Sequence, residues 1–380
     1  MTDVPSRTQV AIIGAGPAGL VLSLLLHLDG IDSVVLEMHD RVHIEGRVRA
    51  GVLEQGTVDL LSDIGAGDRL KREGLVHSWI ELRFAGRPHR IAFGERAITI
   101  YGQQEVVKDL LQAHADAVVF EAPAVSVDAA AGIVYYTIGG EARTLSADIV
   151  AGCDGFHGVS SASVPGTDFE HLYPIGWLGI LAAVEPSTDE LIYCHHERGF
   201  ALHSMRSRTI SRLYLQCEPD EDLAAWSDDR IWTELGNSFA MDGWILRDGP
   251  ILEPGVVAMH SHVHEPMQHE RLYLAGDAAH IVPATGAKGL NLAAADSRVL
   301  ARAIAHWYRT GDSSRLHGYT EARLPAVWRA QRFASWMTTT LHPDGDPFRF
   351  RLQRAELEYV CSSPSASATL AENYVGFRDG

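Results

Sequence analysis

The chain has 380 residues, 46% hydrophobic and 21% charged, the make-up of a protein with well-formed cores rather than a disordered or fibrous one. Its 32 basic and 49 acidic residues leave a net charge of −17. No long-range field then draws in a polyanion, which argues against nucleic acid or an anionic membrane surface as partner. The most apolar stretch, Leu20 to Leu28, is interrupted by Ser23 and His27 and is far shorter than the roughly 20 residues that span a bilayer. The four cysteines form no C-x-x-C pair, and Met1 to Arg7 contains no apolar signal core. A cytoplasmic protein with reduced thiols is the expectation.

Taken in order, Gln9 to Ile13 is a β-branched run suited to a buried parallel strand. Gly14-x-Gly16-x-x-Gly19 follows, then a helix over Leu20 to Leu28 closed by Gly30, then a second apolar run, Ser33 to Leu36, ending at Glu37. This is a βαβ unit. Gly14 permits the tight turn, Gly16 lets a pyrophosphate approach the helix N-terminus, and Gly19 allows close helix packing. Glu37 stands at the end of the second strand, where an acid takes ribose hydroxyls. From Trp177 to Val263 the chain reads as β-rich: Trp177–Val184, Leu191–Cys194, Ala201–Arg206, Ser211–Cys217 and Val256–Val263. Helices are expected over Leu290–His306 and Arg323–Met337. The expected fold is mixed α/β: a Rossmann-like dinucleotide domain over 1–170, an inserted β-sheet substrate domain over 171–268, and site completion with C-terminal helices over 269–380.

Two further strand ends deliver an acid, at Asp154-Gly155 and at Gly276-Asp277-Ala-Ala-His280. The run Thr285 to Asn291 leads into a helix whose free N–H groups would face an anion. In this order, the three glycine-acid sites resemble the FAD motifs of the single-component flavin aromatic hydroxylases. Five longer stretches carry the likeness to the branch that acts on 4-hydroxybenzoate: Gly46 to Gly56, Cys153 to Gly158, Arg198 to Leu202, Pro283 to Asn291 and Ala371 to Gly376. The resemblance runs from about Val10 to Gly376.

It implies tightly bound FAD, NADH or NADPH as reductant, oxygen, a small aromatic acid substrate and a homodimer. The reaction would be 3-hydroxylation of 4-hydroxybenzoate by electrophilic attack of a flavin hydroperoxide. On spacing alone, a hairpin centred near Thr209 sets Arg206 opposite Arg212 and Ser204 opposite Tyr214, a cationic fork with two hydroxyls that suits a carboxylate. The family resemblance assigns Ser204, Arg206 and Tyr214 to the carboxylate, Ala284 to the substrate hydroxyl and Arg212 to the flavin's surroundings. It makes Tyr193, Tyr374 and His77 a relay that drains the phenolic proton, ending on a surface histidine. FAD would be held by Gly14, Gly16, Gly19, Glu37, Arg47, Arg49, Gln103, Asp154, Asp277, Leu290 and Asn291.

Two departures stand out. Ala284 occupies a position where the family pattern has a second proline, which removes the rigidity of a fixed φ. Met38, His43, Ser161 and His260 stand where NADPH users carry basic or hydroxylic groups. With His157 they mark the expected nicotinamide region, and with Glu45 adding negative charge this argues for NADH. His260-Ser-His262-Val-His264 would place three histidines on one side of a strand; the family has no metal, and none is expected. A hydroxylase of an amino- or dihydroxybenzoate, and a flavin-carrying sensor of aromatic acids without turnover, are the rival readings.

Overall fold

The computed structural model describes residues 4–47 and 51–376. Val10, Ala11 and Ile12 are wholly buried, so Arg7–Ile13 sits in the middle of a sheet covered on both faces. That eight-stranded sheet runs in order Gln268–His269, Leu272–Leu274, Glu141–Gly152, Arg7–Ile13, Ser33–Leu36 and Val118–Val119, with Ala124–Asp128 and Ile133–Ile138 branching from the third strand. Leu272–Leu274 through Val118–Val119 pair in parallel. The helix Pro17–Leu28 starts on Pro17, whose missing N–H costs nothing at that position. It packs against the long helix Gly289–Thr310. The Rossmann-like α/β unit is therefore present as expected.

A second eight-stranded sheet runs His280–Ile281, Ile251–Glu265, Thr167–Ala182, Ser211–Cys217, Gly199–Met205, Ile192–His196, Trp79–Phe84, Arg87–Ala92. Its last two strands come from far upstream of position 171. Thr167–Ala182 begins ten residues before the apolar run starting at Trp177, because Thr167 to Leu172 are exposed and carry no burial pattern to read. Val52–Glu54, Ile98–Ile100 and Leu75–His77 form a small third sheet.

The hairpin register differs from the expected one. Ser204 pairs with Arg212 and Leu202 with Tyr214, while Arg206 N–H closes the loop on the carbonyl of Ile210. The centre is one residue earlier than Thr209, so the cross-strand partners shift by two. Because the shift is even, every side chain keeps its face. Tyr193, Leu202, Tyr214 and Gly179 then form one transverse row across four strands, with Ser204 and Arg212 in the next row of the same face.

That face is closed by the C-terminal helices. Tyr193 and Tyr214 share a buried cluster with Phe333 and Met337 of helix Tyr319–Leu341, Leu357 of helix Pro347–Ser362 and Tyr374 of helix Pro364–Val375. The other face packs Ile192, Cys194 and Leu213 on helix Asp228–Phe239 through Ile231, Leu235 and Phe239. No described helix is long and apolar enough to cross a membrane.

Candidate functional site

The glycine turn is shaped for close approach. Gly14 has φ +99°, a conformation that a side chain resists, and a Cβ there would lie 2.4 Å from the Cys153 carbonyl oxygen. A Cβ on Gly19 would fall 2.0 Å from the Gly14 carbonyl oxygen, whereas Gly16 faces open space. Helix Pro17–Leu28 has Gly16 as its N-cap and no side-chain cap, which leaves its first N–H groups for an anion. Glu37 is buried and accepts from Ala15 N–H (2.8 Å) and His39 N–H (2.9 Å). One oxygen thus braces the glycine turn. Asp154 Oδ2 accepts from Val159 N–H, Ser160 N–H and the Ser160 hydroxyl, folding the turn after the strand, and its Oδ1 is buried without a partner. Burial raises the Asp154 pKa against those hydrogen bonds. Asp277 lies in the short turn Gly276–Ala278, and Gln103 opens helix Gln103–His114, also uncapped by a side chain. Arg47 is exposed just past helix Arg41–Gly46; Arg49 lies outside the described residues.

The second sheet contributes the charged end of the site. Nε and Nη2 of Arg206 and Nε of Arg212 are closed off from solvent with no hydrogen-bond partner. Arg212 lies over the Tyr214 ring, 5.0 Å from its centroid, and Ser204 and Tyr214 are buried beside it. Burial lowers the Arg206 pKa, with Arg212 adding to the effect. Burial alone would raise the Tyr214 hydroxyl; the two guanidinium groups outweigh it and bring it down. Orphaned buried donors of one charge are costly. They mark a place built for an anion.

Along the same face, the Tyr193 hydroxyl lies 2.6 Å from that of Tyr374, a pair 181 residues apart in the chain. Burial raises the pKa of both phenols well above the ordinary value. His77 is not a surface residue. It is buried, its Nδ1 is 2.9 Å from Glu190 Oε2, and its Nε2 is buried without a partner. No direct hydrogen bond joins it to either tyrosine among the described residues: the tyrosines are brought together, and the histidine is bound to Glu190 instead.

Asn291 has its amide fully committed. Oδ1 accepts from Glu54 N–H and the Thr57 hydroxyl, and Nδ2 donates to the Val52 and Ala287 carbonyls. It ties the Gly289 helix to the strand Val52–Glu54 instead of facing a ring. What remains for a ligand there is the uncapped helix start at Gly289 and Leu290. Lys288 is buried, donating to Glu54 Oε1 and to the Tyr374 carbonyl. Glu54 stands within the stretch Gly46 to Gly56, where no local spacing marks it as the partner of a lysine so distant in the chain. Ala287 adopts φ +53°, strained for a residue with a Cβ. Ala284 is exposed and its carbonyl accepts from Ala287 N–H (3.0 Å), leaving that oxygen a second lone pair.

The residues of the expected nicotinamide region fall into two groups. His260, on Ile251–Glu265, lies 5.3 Å from the Phe156 ring, which also meets His157 at 5.0 Å, and Ser161 begins the short turn Ser161–Ser163. Met38 and His43 are on the other group, both exposed, with His43 stacked on His39 at 3.9 Å. No ring contact or hydrogen bond joins the two among the described residues. Glu45 does not add net negative charge: it binds Arg41 at 2.6 Å. His262 Nε2 and His264 Nδ1 both meet Asp168 Oδ1, and His264 Nε2 faces the Val164 carbonyl. Both nitrogens of His264 are thus engaged, and no described cluster of three or more ligating residues could hold a metal.

Residues 7–334 match the model of a family described as FAD binding domain. The chain belongs to that FAD binding domain family. Over 385 aligned positions it is 45% identical to the p-hydroxybenzoate hydroxylase of Acinetobacter baylyi, with 97% of this chain and 95% of that protein covered. The crystal structure of a p-nitrophenol 4-monooxygenase from Pseudomonas putida superposes with a TM-score of 0.84 at 17% identity, covering 99% of this chain and 100% of that one. A probable FAD-dependent monooxygenase from Pseudomonas aeruginosa gives 0.73 at 18% identity over 92% and 100%. These two likenesses concern the fold.

The residues present fit the cofactor of the FAD binding domain family. The open space at Gly16 and the uncapped start of the first helix suit a pyrophosphate, and the uncapped Gly289 helix offers a second set of N–H groups. The protein is an FAD-dependent enzyme of this family. Burial of Glu37 with one oxygen still able to accept a second bond is compatible with a ribose contact.

Proposed function

We propose that the chain hydroxylates 4-hydroxybenzoate at the 3-position to 3,4-dihydroxybenzoate, consuming oxygen and NAD(P)H, with NADH preferred. The observation that carries this reading is the pair of buried guanidinium groups with unpartnered nitrogens on the same sheet face as the Tyr193–Tyr374 hydroxyl pair. One end of such a face takes a carboxylate and the other a phenol. Bound FAD would carry the reductant's electrons to oxygen, one atom of which goes to the ring and the other to water.

The chain's own groups then have these parts. Arg206 donates to the carboxylate in a forked geometry, and Ser204 and Tyr214 complete its hydrogen bonds. Tyr193 accepts the phenolic proton as it passes to Tyr374. Both phenols are held far above the ordinary tyrosine pKa by burial, so neither stores the charge, and the proton must travel on. The next acceptor we assign is His77 Nε2, which is buried with no hydrogen-bond partner, with a bridging water carrying the proton to it. Drawing the proton off makes the ring electron-rich at the carbon beside the hydroxyl, where oxygen is to be added. The Ala284 carbonyl orients that hydroxyl.

The division into 1–170, 171–268 and 269–380 is part of the proposal, with the hairpin Trp79–Ala92 reaching across it. So are a homodimer and a cytoplasmic setting, the latter supported by the four unpaired cysteines. The test is to purify the flavoprotein and identify the product formed from 4-hydroxybenzoate with each reductant, alongside amino- and dihydroxybenzoates. Faster, better-coupled product formation from another benzoate would transfer the assignment to that substrate. Ligand-dependent spectral change without turnover of any benzoate would make the protein a sensor.

A further inference from the structure

The last turn of helix Tyr319–Leu341 touches both ends of the substrate face. It is buried at Thr338 and Leu341, and His342 caps it. The Thr338 hydroxyl lies 2.8 Å from the Ala334 carbonyl and 3.0 Å from the Thr285 hydroxyl. A carbonyl only accepts and a hydroxyl carries one hydrogen, so Thr338 donates to Ala334 and Thr285 supplies the hydrogen between the two threonines. One turn earlier, Ala334 meets the same loop: a Cβ on Gly286 would come within 3.0 Å of the Ala334 Cβ. The helix thus holds Thr285 and Gly286 together. The Ala284 carbonyl shares a peptide plane with the Thr285 nitrogen and Cα, so anchoring the Thr285 side chain limits where that oxygen can point.

His342 serves the other end. Its Nδ1 is 2.8 Å from the Thr338 carbonyl and its Nε2 is 2.7 Å from the Trp177 indole nitrogen. The carbonyl only accepts and the indole N–H only donates, so the tautomer with hydrogen on Nδ1 is the one that satisfies all three groups. Burial keeps this ring neutral, its pKa pushed down to about 3. The Trp177 ring in turn packs on Tyr214 at 4.8 Å and on Phe200 at 5.2 Å. Just past the helix, the Pro343 carbonyl accepts from Gln216 Nε2 (2.7 Å), two residues along the strand from Tyr214.

We propose that Thr338 and His342 are positioning residues that set the span of the substrate site. Thr338 places the Ala284 carbonyl at the phenol end, and His342, through Trp177, places Tyr214 at the carboxylate end. Both belong to one helix turn, tied by the bond from His342 Nδ1 to the Thr338 carbonyl, so the distance between the two ends is carried by a rigid element rather than by loops. Ala284 lacks a ring to hold its own φ, and the loop takes its rigidity from the helix instead. The inference rests on the proposed function, which lays 4-hydroxybenzoate between these two ends.

The test is flavin-absorbance titration of the holoenzyme with 4-hydroxybenzoate and with benzoate, which lacks the phenol, so that the ratio of the two dissociation constants isolates the phenol end. In Thr338→Val, benzoate should bind within about twofold of the parent while the preference for 4-hydroxybenzoate falls about threefold to tenfold, the worth of one hydrogen bond. Product formed per reductant should fall with it. Thr285→Val removes the same contact from the loop side and should act alike, whereas Thr338→Ser keeps the hydroxyl and should restore the preference. Trp177→Phe removes the N–H that His342 accepts; it should weaken both ligands by about threefold or more and leave their ratio unchanged. Retained flavin and unchanged circular dichroism establish that the variants are folded. If the threonine variants keep the parent's preference or lose both ligands alike, or Thr338→Ser fails to restore it, the assignment of Thr338 is wrong. If Trp177→Phe leaves both affinities as they were or shifts the ratio, that of His342 is wrong. In either case 3,4-dihydroxybenzoate formed by the parent keeps the proposed reaction standing. A parent that prefers 4-hydroxybenzoate but forms no product removes the reaction and leaves the positioning to be judged by the ratio, and a parent without that preference removes both.

Discussion

Replacing Arg206 by Met removes the cation and keeps a stem of similar length. In the free protein Nε and Nη2 of Arg206 are buried without partners, and Nη1 reaches only the Met205 carbonyl at 3.3 Å. An unsatisfied buried donor costs about 1–3 kcal/mol. The free Arg206→Met protein should consequently unfold at an equal or higher denaturant concentration than the parent. The bound state pays in the other direction. Losing a forked, charge-assisted contact to a desolvated carboxylate costs about 3–5 kcal/mol, roughly two to four orders of magnitude in affinity. At a benzoate concentration 100 times the parent's dissociation constant, the parent gains about 2.7 kcal/mol of stability and the variant essentially none. Flavin-absorbance titration gives the affinity, and melts with and without 4-hydroxybenzoate give the linkage. An affinity loss below tenfold, or a free variant less stable than the parent by more than about 2 kcal/mol, would refute the assignment of Arg206 as an anion receptor.

Tyr193→Phe removes one member of the 2.6 Å hydroxyl pair; carboxylate binding should change little while product formed per reductant falls sharply, and product at the parent ratio would discard the relay. Gly19→Ala puts a Cβ 2.0 Å from the Gly14 carbonyl oxygen, so the purified protein should carry little FAD, and a normal flavin-to-protein ratio would count against the close packing described. Acid should destabilise the fold through His342 and His203. Burial, only partly offset by hydrogen bonds at backbone carbonyls, pushes their pKa values down to about 3 and about 4. Below pH of about 6.5 the unfolded chain binds protons that the folded one refuses, removing about 1.4 kcal/mol per pH unit for each group. His342→Gln should flatten the stability loss between neutral and mildly acid pH, and an unaltered slope in urea unfolding would contradict it. For the reductants, Ser161 and His260 at the two positions where the family resemblance puts arginines for a 2′-phosphate predict kcat/KM at least about tenfold higher for NADH; a preference for NADPH would overturn that.

Much of this was legible along the chain because it is local. The βαβ unit and its glycines follow from spacing and steric freedom, and the strand Ser211–Cys217 has the boundaries its alternation predicts. The face shared by Ser204, Arg212 and Tyr214 also survived a register error of two, since strand periodicity is two. Where side chains spend their hydrogen bonds was not legible. Asn291 looks like a ligand-facing group in sequence, yet it is consumed by Glu54, Thr57 and backbone carbonyls, and the neighbouring Lys288 by Glu54 and the Tyr374 carbonyl. His77 reads as a surface histidine in sequence, yet it is buried against Glu190, 113 residues away.

Sequence by itself determined the cofactor turn and the local hairpin face, since each rests on residues within a turn or two of one another, and the family, since its motifs are short stretches that can be read one at a time. Only the tertiary structure decided that Tyr193 and Tyr374 touch, that the guanidinium nitrogens of Arg206 and Arg212 are shut away from water without partners, and that Trp79–Ala92 extends the second sheet. Contact and desolvation depend on which surfaces meet, and a chain of side chains does not carry that information until distant segments are packed together.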